Sequence, residues 1–169
     1  MTGVEAIASN LDMDTERVHF EHEHIEDELQ DLDAAIQSID FDSEPLPQLD
    51  GMTAAGVIVR NLECELPGHF MEEEGTLLPD LARLDPELTD WVGAMRHNDV
   101  LIWRELEAIR TGLARLRSST DMTEDLDQIQ SNLARLRHFI HTHAYGEEMV
   151  AKAVLKRQEL LSPNHRDSL

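Results

Sequence analysis

Apolar side chains recur at every third or fourth position in four long runs, with almost no strand signal between them, and this period constrains the fold more than any other feature. Over residues 13–40, Val18, Ile25, Leu29, Leu32, Ile36 and Ile39 are separated by three, four or seven, which lines one face of a helix. The stretch FDSEPLPQLDG breaks the run with prolines and a glycine. A second helical pattern then extends from about Thr53 to Leu78, ending near Pro79. Asp85 and Pro86 read as a cap followed by proline at the first helical position. They open a third helix to about Leu116, whose core face includes Val100, Leu101, Ile109 and Leu113. Asp121 and Glu124 have the spacing of a capping box, and a fourth helix runs on to about Leu160 before Ser162 and Pro163 end it. Four helices with short connections predict an all-α, up-down-up-down antiparallel four-helix bundle. The chain then divides into an N-terminal arm at residues 1–12, the bundle at 13–161 and a flexible tail at 162–169.

Within this frame, composition excludes several classes of partner. The 169 residues suit a single domain. Asp and Glu number 35 against 14 Lys and Arg, a formal net charge of −21 that repels phosphate backbones and anionic lipid, so neither nucleic acid nor membrane is expected as a partner. Cys64 stands alone, which rules out an intramolecular disulfide, favours a reducing compartment and predicts a buried, inert thiol. The acidic start of the chain and the lack of any apolar run of about 18 residues predict a soluble, cytoplasmic protein.

Two segments repeat one pattern: LECELPGHFMEEE at residues 62–74 and LRHFIHTHAYGEE at 136–148. Aligning His69 with His143 superimposes Leu62 on Leu136, Leu66 on Ile140 and Glu73 on Glu147. In each copy the histidine and the glutamate are four apart, so both project from one helix face about one turn from each other. Glu72 falls opposite Gly146, and Glu74 and Glu148 are rotated off that face. His24 and His97 make a second pair. Counted from the helix ends, His24 and His69 lie at one depth, as do His97 and His143. Four imidazoles and two carboxylates are therefore expected to meet in mid-bundle.

Burying so many polar groups unpartnered costs roughly 2 kcal/mol or more each, which a marginally stable domain does not tolerate. A metal resolves the conflict, and imidazole with carboxylate suits iron better than thiolate-preferring metals. His24, His69, His97 and His143 divided between two ions, with Glu73 and Glu147 bridging, leave positions open for a small ligand.

These residues resemble the hemerythrin-like, or HHE cation-binding, domains over about residues 13–160. The resemblance rests on His24, His69 and Glu73 in HFMEE, His97, and His143 and Glu147 in HAYGEE. It implies a hemerythrin-like bundle around two non-haem irons, oxo- or hydroxo-bridged, that bind or react with oxygen, peroxide or nitric oxide. The oxygen-carrying hemerythrins have a further histidine on their third helix, where this chain has Leu101. That departure favours a di-iron oxidoreductase over simple carriage. The alternatives are a non-catalytic oxygen carrier, an oxygen or iron sensor, an iron reservoir, and a structural bundle whose histidines hold zinc or nothing. The oligomeric state is open.

His19, His22, His138 and His141 point away from the face of His24 and His143. They are expected as solvated histidines or as hydrogen-bond partners of ligands, with a surface metal site as the alternative. Glu28, four after His24, is either an extra ligand, an acceptor for an imidazole N–H, or a rim carboxylate. Pro67 and Gly68 either kink the helix beside His69 or are tolerated irregularities, and Gly146 marks either a close helix contact or room for a ligand. Met71, Met95, Met149, Trp91 and Trp103 are expected in the core, and Tyr145 in the core or an interface.

Overall fold

The computed structural model describes residues 3–39, 45–118 and 122–161, and all of its regular elements are helical. Helix α1 spans Gly3–Gln37, beginning ten residues before the expected start, and α2 spans Pro45–Glu72. Pro45 and Pro47 thus lie inside the first turn of α2 instead of in a break before it. Proline is tolerated there because first-turn N–H groups have no intrahelical acceptor. Helix α2 runs through Pro67.

At Glu73–Leu77 the helix widens into one π turn, with the Leu78 N–H donating to the Glu73 carbonyl, and continues as α3 over Leu78–Leu84. Pro79 has no N–H to return to the carbonyl four residues back, and the wider register accommodates it without ending the helix. The expected stop near Pro79 is therefore a change of helical register. Asp85 is extended and accepts a hydrogen bond from the Glu87 N–H at 3.2 Å, capping a 3-10 turn at Pro86–Leu88. Helix α4 follows at Thr89–Leu116, and α5 spans Met122–Leu161. Asp121, the tail at 162–169 and the side chain of Val18 lie outside the described residues.

The main apolar cluster is fed by α1, α2, α4 and α5, and two smaller ones gather Leu77 and Leu81 with Ala151 and Val154, and Leu78 with Val92 and Met95. Leu32 and Ile36, Leu62, Leu106 and Ile109, and Leu136 are fully buried. In α4 the inward residues are Val92, Met95, Asp99, Ile102, Leu106, Ile109, Leu113 and Leu116, at alternating spacings of three and four. Val100, expected in the core, is 63% exposed, and Leu101 is half-buried. Cys64, expected to be buried, is exposed. Met71, Met149 and Tyr145 also lie on the surface, whereas Met95 is buried and Trp91 and Trp103 pack against the core.

Side-chain pairs between helices follow a regular order. Arg17, His24 and Glu28 of α1 meet Glu72, Glu65 and Asn61 of α2. His19, Glu26 and Asp33 of α1 meet Glu148, His141 and Arg137 of α5. Numbers rise on one helix as they fall on the other. Helices α4 and α5 approach closely at Gly112, where a Cβ atom would lie 2.6 Å from Ile129 Cγ1. No helix among the described residues is long and apolar enough to cross a membrane.

Candidate metal centre

The inward seam of each helix carries its apolar stripe into one polar layer. In α1 the stripe Ile25, Leu29, Leu32 and Ile36 extends back by three to His22. In α2 it runs Val59, Leu62, Leu66, then His69, and four residues on, at the first position of the π turn, Glu73. In α5 it runs Leu133, Leu136, Ile140, then His143 and Glu147. These three imidazoles and two carboxylates are buried, and each offers one ligand atom such that all five lie within 4.8 Å of one another.

The geometry is that of donors facing a common centre. His69 Nδ1 lies 2.9 Å from Glu21 Oε2, to which its N–H donates. On the other side of the ring, His69 Nε2 lies 2.6 Å from Glu73 Oε1 and 3.1 Å from His22 Nε2. His143 Nε2 lies 3.1 Å from Glu73 Oε2 and 3.5 Å from Glu147 Oε2, and His22 Nε2 lies 3.4 Å from Glu147 Oε2. On the far side of its ring, His143 Nδ1 is 3.1 Å from Asp99 Oδ1 of α4, an ion-pair distance without hydrogen-bond alignment. His22 Nδ1, Glu73 Oε1 and both oxygens of Glu147 are buried with no hydrogen-bond partner.

The electrostatics ask for positive charge. Burial opposes charge on His143, but Asp99, Glu73 and Glu147 outweigh it and push its pKa up to about 10. His22 is raised for the same reason, with Glu147 and Glu73 overcoming burial. Burial would raise Glu73, yet His143, His22 and His69 hold its carboxyl below the usual carboxylate range. Glu147 is raised, first by burial and then by the charge of Glu73. In the absence of metal, protons on His22 and His143 take the place of cations.

Of the expected ligands, the structure brings together His69, Glu73, His143 and Glu147. The repeat separated Glu73 and Glu147 from Glu72 and Glu74, which are exposed, and from Glu148, which pairs with Lys152 and His19. His24 and His97 are not part of the cluster: His24 exposes 56% of its side chain, and His97 is exposed on α4. His24 instead pairs with Glu65 on the surface between α1 and α2. Two residues along a helix turn a side chain to the opposite side, so with His22 in phase with Ile25 and Leu29, His24 points outward. On α4, Met95, Asp99 and Ile102 hold the inward phase, which leaves His97 outside.

His22, expected as a solvated histidine or a hydrogen-bond partner of a ligand with a surface metal site as the alternative, is instead 4% exposed and belongs to the buried cluster. Its spacing of seven from Leu29 was the available signal. Glu21 and Asp99 were missed as partners of imidazoles, although Asp99 also shares the core phase of α4. Glu28 is half-buried between α1 and α2, where it accepts from Asn61 at 3.2 Å. His138 and His141 are exposed. At Gly146 a Cβ would make only ordinary contacts with Met95 and Trp91, so no close approach requires the glycine.

Donor chemistry fits a cation. Imidazole nitrogens and carboxylate oxygens, several of them buried and unpaired, suit a borderline transition metal ion. The family model of the hemerythrin HHE cation-binding domain matches residues 13–155. No curated protein and no solved structure matches the chain. With the family model covering most of its length and a buried histidine and glutamate cluster at its centre, the chain belongs to the hemerythrin HHE cation-binding family.

Proposed function

We propose that the buried cluster binds two non-haem iron ions through His22, His69, His143, Glu73 and Glu147, and that this centre binds or reacts with a small oxidant, namely oxygen, peroxide or nitric oxide. The observation that carries the two-ion reading is the disposition of Glu73. Its Oε1 faces His69 and His22, and its Oε2 faces His143, so its two oxygens address different histidines as a bridging carboxylate does. Glu147 presents a single oxygen, Oε2, to both His22 and His143 and completes the donor set. An up-down-up-down bundle is the arrangement in which these ligands share one level, and the opposed numbering of paired residues between α1, α2 and α5 supports it.

Iron, when bound, supplies a ferrous and ferric couple and coordination positions that three imidazoles and two carboxylates leave unfilled. The protein supplies orientation and exclusion of water. Glu21 fixes the His69 ring through Nδ1, and Asp99 stands at the corresponding nitrogen of His143. The Phe70 ring lies 5.6 Å from both His69 and His143, and Leu66 and Ile140 close the apolar side.

Metal analysis of protein produced in iron-containing medium tests the assignment. Two irons per chain are expected, lost in His22→Ala and His143→Ala and retained in His24→Ala. An iron-free protein, or equal loss in His24→Ala, would sink it. Addition of oxygen, then peroxide, to the reduced protein separates the functions: sustained peroxide loss marks an oxidoreductase, and a reversible spectral change without turnover marks a carrier or sensor.

A further inference from the structure

The five clustered side chains are almost wholly buried, so an ion must cross the protein surface to reach them. One described cleft, of about 320 Å³, touches a member of the cluster: it lies between α1 and α2 and has His69 in its wall. The other large described clefts are lined by residues around Arg110, His141 and Thr111, with no member of the cluster among them.

We propose that this cleft is the route by which a divalent cation enters the buried centre, with His24 and Glu65 in its wall and the neighbouring Glu28 as its docking point. The proposal rests on the reading of the buried cluster as a metal centre. Three carboxylates, Glu21, Glu65 and Glu72, and the imidazole of His24 line the cleft, between apolar walls formed by Phe20 and Ile25. Carboxylates in a low-dielectric wall focus the field and concentrate cations. His24 Nε2 and Glu65 Oε2 are 3.4 Å apart, and with Glu28 they can offer three ligand atoms within 4.8 Å of one another. Independently, Glu28 Oε2 is shielded from solvent and has no hydrogen-bond partner, although Asn61 donates to its other oxygen.

Glu21 is the next carboxylate inward. It exposes 31% of its side chain to the cleft side while its Oε2 holds His69 Nδ1 at 2.9 Å, so a cation that draws Glu21 away frees the His69 ring to turn. Gly68 lines the cleft, and a Cβ there would meet nothing within 4 Å, which leaves room for a larger side chain to enter the passage.

The test is the rate of cobalt(II) uptake by chelator-stripped protein, followed by stopped-flow absorption with metal analysis at the end point. Gly68→Leu fills the cleft, Glu65→Gln removes one docking charge, and Gly93→Leu puts the same side chain at an open position on α4 as a control. Uptake several-fold slower in Gly68→Leu is expected. In Glu65→Gln the slowing is about two- to tenfold at low ionic strength and shrinks with added salt. Final cobalt per chain stays at the wild-type level, and Gly93→Leu matches the wild type.

Wild-type rates in both cleft variants would overturn the route while leaving the metal centre standing. Slowing in Gly68→Leu alone would overturn the docking point and keep the cleft. If Gly68→Leu does not fold, Glu65→Gln decides. Wild-type protein that takes up no cobalt, or His22→Ala that takes up as much, would overturn the metal centre and the route with it.

Discussion

Replacing Asp99 with asparagine separates the charge of that residue from its shape. Asp99 Oδ1 lies 3.1 Å from His143 Nδ1, and it heads the groups that hold the His143 imidazolium against burial. Moving a histidine from 6.5 to about 10 corresponds to on the order of 5 kcal/mol of preference for the charged form. Asp99, Glu73 and Glu147 share that preference, so losing one charge is expected to cost the metal-free protein on the order of 1–2 kcal/mol.

The sign follows from the raised folded-state pKa. The stabilisation is complete below the unfolded value near 6.5 and is lost as pH rises through about 10. Urea denaturation of chelator-stripped protein across that window is the assay. The wild type loses stability as pH rises, Asp99→Asn loses less because it has less to lose, and the two curves converge at the alkaline end. The same substitution loosens the His143 ring and weakens metal binding roughly 10- to 100-fold. Curves that stay parallel at every pH would refute the charge coupling, and unchanged metal affinity would refute the orienting role.

Other expectations concern the ligands and the packing. His97→Ala retains the full metal content while His22→Ala loses it, by elemental analysis; the reverse order would restore the pairing read from the repeat. Metal loading at neutral pH displaces at least the His143 proton, so the calorimetric enthalpy depends on the ionisation enthalpy of the buffer and affinity falls as pH falls; a buffer-independent enthalpy would contradict this. Gly112→Ala drives a methyl group into Ile129 and lowers stability by about 1–3 kcal/mol, whereas Gly93→Ala is neutral or stabilising by up to about 1 kcal/mol. Equal melting temperatures for the two variants would show that α4 and α5 can spread at no cost.

Much of the bundle was legible because its signals are local. Helical period and the Asp85 and Pro86 start each depend on a few neighbouring residues. They correspond to α4, opened by its 3-10 turn, and to α5. The π turn at Glu73–Leu77 was not legible, because a proline can end, kink or widen a helix and the choice depends on what packs beyond it. The starts of α1 and α2 were likewise misjudged where the chain carries acids or prolines that a first turn tolerates.

For the site, the sequence by itself determined the two His-x-x-x-Glu segments, because a repeat at constant helical spacing needs no knowledge of neighbours. Tertiary structure decided the third imidazole. His22 and His24 are both histidines on one helix at nearly one depth, and only the rotation of α1 against its partners selects His22. On α4 the same rotation brings in Asp99 and leaves His97 outside. Depth along a helix can be counted from its ends, but facing is set by which stripe of side chains buries the most apolar surface. That is a property of four helices packed together and not of any one of them.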